Sequence, residues 1–507
     1  MKFSGTIKNS RYPSAPPIKK GNRSILASNF WVEESMERLT RELAHFCHVL
    51  GPESLDGQII ERGKYLLLDY LGVAIRGSLS ESSQPVYRML EHGNMAGPCS
   101  VIGTGLLTSP VCAALANGTA SHSTELDDIH QGGSIHLGVV IFSTAIALSE
   151  VLPRISTDQF FCAVIAGYEV AARLAMAVQP KYHYEAGFHP TSTCGVFGAA
   201  VTAAKLLRLS EEQMLSAFGI AGSMSAGSLE FLADGAWTKR LHPGLAAQNG
   251  IQAAKLAAEG FRGPSTILEG RDGFLSSYSR RSKPELITKN LGKDFEILHT
   301  SVKPHACCRY MQSPIDAILF LATQHDIRFE QIARVEVAVL EAGWPLVCEP
   351  RTRKYAPTSI VDAQFSMPFG AAIALRFRDA GLEQFTNENF RAADIQSLMS
   401  KVVMIKDVRI EKNFPAEWPS NAKIVLEDGT IYEKFIRHPK GDPENPLSWE
   451  ELASKFRSLA IPVLPEVQWR EIENSLRGMD ASKNIRDIWK RARLNVPERQ
   501  TSGSVAV

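Results

Sequence analysis

From residue 137 to residue 260 the chain reads as a series of Ala-rich segments at helical spacing, broken by polar loops at 180–193 and 233–243. Stretches such as Gly195, Gly198, Ala199, Ala200, Ala203 and Ala204 put little side chain between neighbouring backbones. Helices built this way approach one another closely, because interaxial distance follows the side chains at the contact. The pattern predicts helices at about 138–152, 157–178, 192–207, 210–223 and 242–260. Ser210 and Gln213 have capping-box spacing at the start of one of them. Upstream, helices are expected at about 34–50, 57–77 and 83–90, and another is opened by Ser109-Pro110, where proline is well tolerated. That last helix is expected to run through VCAALANGTASHSTEL.

The pattern changes after about residue 300. Ile332 to Leu340 and Val402 to Ile410 alternate like strands, and Ala422 to Ile436 reads as a hairpin turning at Asp428-Gly429. Helical spacing returns at 447–494. The expected fold is therefore mainly α with an inserted α+β unit. Residues 1–30 are expected to be a disordered basic tail, and 31–300 the first part of a helical domain. An α/β domain then covers 301–444, a C-terminal helical part covers 445–495, and 496–507 is a second disordered tail.

At 507 residues and 44% hydrophobic content, the chain exceeds one ordinary domain. Lys+Arg 55 against Asp+Glu 54 leaves a net charge of +1, which gives no footprint for nucleic acid or an anionic membrane. No uninterrupted apolar run reaches the roughly 18 residues of a membrane span. The 8 cysteines lack C-x-x-C or zinc-ligand spacing and suit free thiols in a reducing compartment. The expected location is cytoplasmic. The tail's excess of Lys and Arg also fits a mitochondrial transit peptide, although its prolines oppose the amphipathic helix such a peptide forms.

Four polar segments interrupt this apolar text. Residues 117–138, NGTASHSTELDDIHQGGSIHLG, crowd Glu125, Asp127 and Asp128 beside His122, His130 and His136. Imidazoles titrate near neutrality and neighbouring carboxylates split each other's pKa values, so the cluster is equipped to move protons. The plainer reading is a helix end with capping aspartates. Gly187-Phe188-His189-Pro190 places His189 just before a helix, near amides that favour anions. Lys239-Arg240 precedes the predicted helix at 242 and offers two cations for carboxylates. Lys303-Pro304-His305-Ala306-Cys307-Cys308-Arg309-Tyr310 lies at the expected domain junction, a favoured place for small-molecule sites. There is no phosphate loop, dinucleotide fingerprint, nucleophile elbow or H-E-x-x-H. An anionic ligand and acid–base chemistry are expected, with no organic cofactor and no metal.

Six separated blocks, in order, resemble the MmgE/PrpD family. They are ERGKYLLLDYLGVAIRG (61–77), VCAALANGTASHSTELDDIHQGGSIHLG (111–138), GFHPTSTCGVFGAAVTAAKLL (187–207), KRLHPGLAAQNG (239–250), VKPHACCRYMQSPIDA (302–317) and VLEDGTIYE with PKGDPENPLSWEELASKF (425–456). The resemblance implies a helical domain made from both chain ends, an inserted α/β lid, a homodimer and a small carboxylate substrate. Its members include 2-methylcitrate dehydratase, cis-aconitate decarboxylase and iminodisuccinate epimerase. By position it implies catalytic roles for Glu125 or Asp127, His136, His189 and Lys239. Substrate binding would fall to Arg240, His305, Arg309, Tyr310 and Gln312, with Tyr355 as a candidate lid tyrosine. Gln312 stands where many relatives have a histidine, so His305, Arg309 or Tyr310 would have to replace that group. The expected activity is that of a cofactor-independent lyase, cis-aconitate decarboxylase-like. Alkylcitrate dehydration, epimerisation and an inactive binding protein on the same fold are the alternatives.

Overall fold

The computed structural model describes residues 38–479 and 485–494; the two expected tails lie outside the described residues. The described chain is mostly helical with small sheets. Its helical part begins with α1 (Leu39–Val49), α2 (Gly57–Gly77), α3 (Pro110–His122) and α4 (Gly138–Ser149). It continues with α5 (Thr157–Ala177), α6 (Gly195–Leu206), α7 (Glu211–Ser223) and α8 (Thr238–Ala258). Side chains of Asp56 and Ser109 cap α2 and α3, and Ser156 and Ser210 form capping boxes on α5 and α7, satisfying orphan N–H groups. Every residue of α4 is buried. Helix α5 has the length and apolar character of a membrane span, but almost all of it is packed inside the protein.

Helices α3 and α8 touch backbone to backbone. A Cβ added at Gly118 would meet the Gly244 Cα at 2.7 Å, and one added at Gly244 would meet the Leu115 carbonyl oxygen at 2.3 Å. This crossing holds the end of α3 against the start of α8. Gly244→Ala must push the two helices apart. It is expected to cost about 1–3 kcal/mol, as overpacking does, read as a lowered denaturant midpoint at unchanged slope.

The sheet-bearing part contains α9 (Gln312–Gln324), β1 (Ile332–Ala338), α10 (Met367–Phe377), α11 (Ala393–Lys401), β2 (Val402–Ile405), β3 (Ser420–Leu426) and β4 (Ile431–Ile436). The strand order is β2-β1-β3-β4, with β1 and β2 parallel and the other pairs antiparallel. Buried residues of α9, α10, β1 and β3 form one core, which also takes in Val73, Leu126 and Leu459. Helices α12 (Trp449–Ala460), α13 (Glu466–Arg477) and α14 (Arg486–Arg491) follow. Their Leu452, Phe456, Trp469, Ile472, Leu476 and Trp489 belong to the same core cluster as the helices before residue 300.

Three local expectations need correction. The strand expected at Val402 to Ile410 stops at Ile405, because Asp407 caps a helical turn at Val408–Glu411. Helix α3 ends at His122, before the acidic residues. Helix α8 starts at Thr238 and carries Pro243 within it, so Lys239 and Arg240 are in its first turn and not in a loop.

Candidate active site

Beyond α3 the chain passes through Glu125 in the left-handed region, φ 57°. A non-glycine residue held there stores strain that the surroundings must support, a common property of functional loops. The turn sends Glu125 and Asp127 into the protein among cations and imidazoles. Glu125 Oε1 is ion-paired with Lys239 Nζ, and its Oε2 lies 3.6 Å from Lys303 Nζ. Lys303 is also 3.6 Å from Asp127 Oδ1. The other Asp127 oxygen accepts from His122 Nδ1 at 2.7 Å and lies 2.9 Å from His136 Nδ1. The chain of charges is thus Lys239, Glu125, Lys303, Asp127 and then two imidazoles, all buried.

Neighbouring groups hold this loop in place. Asp128 accepts from the Gly138 N–H at 2.9 Å and from Tyr168 Oη at 2.7 Å, anchoring the start of α4. Burial pushes its carboxyl up to about 7. Lys455, on α12, donates to Asp69 at 2.6 Å and to the Leu126 carbonyl at 2.7 Å. Leu126 lies between the two site carboxylates. Ile129–His130 pairs with Thr300–Ser301 and brings in the segment that carries Lys303. His189 caps the short turn Pro190–Thr193, donates its N–H to the Gly227 carbonyl at 2.9 Å and places Nδ1 3.0 Å from His242 Nδ1.

The electrostatics follow from burial and pairing. Burial opposes the charge on Glu125, but Lys239 and Lys303 outweigh it and hold the carboxyl down at about 2. Asp127 is likewise opposed by burial and held well below its usual range by His122, His136 and Lys303. Burial lowers His122 to about 4 and lowers His136, with Asp127 pulling back on both. His189 falls well below its usual value through burial, with His242 and Lys239 adding to it. Glu125 and Asp127 are therefore ionised, and His122, His136 and His189 neutral, near pH 7. His136 Nδ1 faces two acceptors, Asp127 Oδ2 and the Asp128 carbonyl oxygen at 2.8 Å. These keep the proton on Nδ1 and leave Nε2 as a base.

A small crevice of about 50 Å³ with mostly buried walls is lined by Glu125, His136, His189, Lys239, Arg309 and Tyr310, together with Tyr184, Cys308 and Phe365. Arg309 Nη2 lies 2.6 Å from one Asp442 oxygen and 2.8 Å from the other, and its guanidinium lies over Trp418. Its Nε and Nη1 are buried without a hydrogen-bond partner. Such orphan donors are costly unless a ligand satisfies them. His122, Asp127 and His136 also lie within 4.8 Å of one another, a spacing open to a metal ion. The Asp127 charge is already met there by two rings and an ammonium.

Of the residues expected from sequence, Glu125, His136, His189, Lys239, Arg309 and Tyr310 converge on this crevice, with Asp127 directly behind. Three expected substrate contacts do not line it. Arg240 is buried elsewhere, against Ser82 Oγ at 3.2 Å and Gln364 Oε1 at 3.3 Å. His305 Nε2 lies 2.8 Å from Asp316 Oδ1. Gln312 accepts from the His305 N–H and donates to the carbonyls of His305 and Cys307, so it braces the loop before Arg309. The Tyr355 hydroxyl donates to the Val402 carbonyl at 2.5 Å, beside the sheet, so it is not a crevice tyrosine. Gln312→Ala strands buried backbone groups. It is expected to destabilise by about 1–3 kcal/mol while leaving turnover per folded molecule within about threefold, by thermal melts and active-site-normalised kinetics.

Lys303 and His242 were given no role from sequence, although both lie in matched blocks. A lysine before proline in a loop carries no local sign of full burial.

Both halves of the chain are similar to known proteins. The MmgE/PrpD N-terminal domain model matches residues 41–287 and the C-terminal domain model matches 305–480. Cis-aconitate decarboxylase-like protein oryM of Aspergillus oryzae is 28% identical over 476 residues, covering 89% of this chain and 96% of that protein. Cis-aconitate decarboxylase of Aspergillus terreus is 27% identical over 470 residues, covering 88% and 94%. The human cis-aconitate decarboxylase is 26% identical over 474 residues, covering 89% and 93%. With both halves matched, the chain belongs to the MmgE/PrpD family.

Proposed function

We propose that this protein is a cofactor-independent lyase that decarboxylates a small unsaturated tricarboxylate of the cis-aconitate type. The observation that carries the reading is the crevice itself, whose buried wall brings together Lys239, Arg309 with two unpartnered buried donors, and the neutral imidazoles of His136 and His189. Lys239 and Arg309 hold two substrate carboxylates. The third loses its bond to carbon; the electron pair enters the adjacent double bond, which shifts by one position, and carbon dioxide leaves. The far carbon takes a proton from His189 or His136. A positioned acid of this kind contributes typically about 10²–10⁴ in rate.

A second reading, dehydration of an alkylcitrate, draws on His136. Its Nε2 is set as a base, which can take a proton α to a carboxylate, whereas decarboxylation needs only an acid. Incubation with cis-aconitate, citrate and 2-methylcitrate, followed by mass spectrometry and trapping of carbon dioxide, separates the two. Carbon dioxide from cis-aconitate supports the first; loss of water without carbon dioxide replaces it with the second. We also expect a homodimer, checked by sedimentation.

The electrostatics give a pH expectation. His136 is neutral in the free protein because burial holds its pKa down. A bound polyanion favours its imidazolium, so binding takes up a proton. Affinity should fall as pH rises, by up to about tenfold per unit for the one proton taken up. Calorimetry in buffers of different ionisation enthalpy reads the uptake directly; none at pH 6–8 would refute the assignment.

A further inference from the structure

A second cavity lies behind the crevice. It encloses about 510 Å³, is open to solvent, and is lined in part by Ser192, Ser228, Glu230, Asp234, Thr238 and His242. Phe231 belongs to both walls, facing the crevice on one side and the outer cavity on the other. The two spaces are also joined by a polar contact, His189 Nδ1 to His242 Nδ1 at 3.0 Å, with both rings buried. His189 lines the crevice and His242 lines the outer cavity. Committing both Nδ1 atoms to each other leaves one Nε2 for each space.

The outer cavity is ill suited to a carboxylate substrate. Among the described residues lining it there is no lysine or arginine, while Glu230 and Asp234 are acidic. Carboxylates, hydroxyls and an imidazole in an open cavity favour the passage of protons. Decarboxylation creates a need for them. It replaces a carbon–carboxylate bond by a carbon–hydrogen bond, so each turnover consumes one proton in a crevice that has room for only a few waters.

We infer that His242 is a positioning residue that relays protons from the outer cavity to His189. The inference rests on the decarboxylase reading for its demand, one proton per turnover. In the productive setting His242 donates its Nδ1–H to His189 Nδ1, and His189 carries its own proton on Nε2. As carbon dioxide leaves, the substrate carbon takes the Nε2 proton of His189. His189 Nδ1 takes the shared proton, and His242 Nε2 takes one from water in the outer cavity. Both rings end neutral in the other tautomer; once product has left, His189 Nε2 takes a proton from water entering the crevice, its Nδ1–H passes back to His242 Nδ1, and His242 Nε2 returns a proton to the outer cavity. The charged or titratable groups around His242 are Lys239 on its own helix, His189 with His122 and His136 beyond it, and Glu230 and Asp234 across the cavity.

The test compares His242→Gln and His242→Ala with the native protein on cis-aconitate. Glutamine keeps a hydrogen bond to His189 but cannot pass a proton. Both variants should lose at least about tenfold in kcat with KM within about twofold, since a positioned proton donor is worth more than that. Free imidazole, small enough for the outer cavity, should restore His242→Ala saturably and leave His242→Gln unchanged. A native kcat and pH profile in His242→Gln overturns the relay, and so does a folded His242→Ala that imidazole does not help. If the native protein releases no carbon dioxide, the decarboxylase reading fails by itself. The relay is then decided without substrate, by mass-spectrometric deuterium exchange at the imidazole C2 positions. Coupled rings titrate together, so His242→Gln should move the His189 midpoint, and an unmoved midpoint overturns the relay.

Discussion

Lys239→Ala is expected to lower kcat/KM on the carboxylate substrate by about 10²–10⁴, the loss that follows from removing one partner of a buried ion pair, 3–5 kcal/mol. Three effects act together. The substrate loses a cation lining the crevice. Glu125 keeps only Lys303, at 3.6 Å, and its carboxyl pKa rises. The Phe365 ring loses the ammonium that lies 5.2 Å from its centroid. Lys239→Arg should not restore the rate, because a planar fork does not replace a compact ammonium at this contact. Steady-state kinetics together with a thermal melt separate lost chemistry from lost fold. A Lys239→Ala protein within about threefold of native kcat/KM would remove Lys239 from the mechanism.

Asp127→Asn is the second large effect, acting mainly on kcat. One carboxylate oxygen of Asp127 serves both His122 and His136, and the other faces Lys303. An asparagine is nearly the same size, but it offers one acceptor oxygen and an N–H₂ that faces a ring nitrogen or the ammonium. The His136 proton is then no longer held on Nδ1, and the reactive nitrogen changes character. A fall of about 10²–10⁴ in kcat is expected, with KM less affected, as when a histidine is left in the wrong tautomer. NMR of ¹⁵N-labelled imidazoles would show the tautomer change; a native His136 tautomer with native kcat would contradict the role given to Asp127.

The long elements were legible in the chain because burial writes itself into periodicity. Helix α2 lies at 57–77 as its broad apolar face predicts, and the hairpin turns at Asp428-Gly429, where Gly429 has φ 86°. What spacing could not convey was direction. Lys239 and Arg240 look equivalent in sequence, but neighbours on a helix point about 100° apart. Once α8 is seen to begin at Thr238, only one of them can face the crevice, and Lys239 does. Pro243 hid that start, since a proline reads as an early helix position. Gln312 misled for a similar reason. In sequence it looked like a missing histidine, but it stands at the first position of α9 with its amide turned toward the loop backbone.

Lys455 has a consequence for biosynthesis. Its ammonium clasps the Leu126 carbonyl between the two carboxylates. A polypeptide emerging from the ribosome makes the histidines and acids early, yet that clasp arrives only when nearly the whole chain has been translated. Earlier nascent chains hold all the acid–base groups from residues 122 to 242 while exposing an unfinished loop. Chains cut short before α12 should therefore accumulate as inactive, chaperone-bound species, even though every proposed proton donor is already present in them.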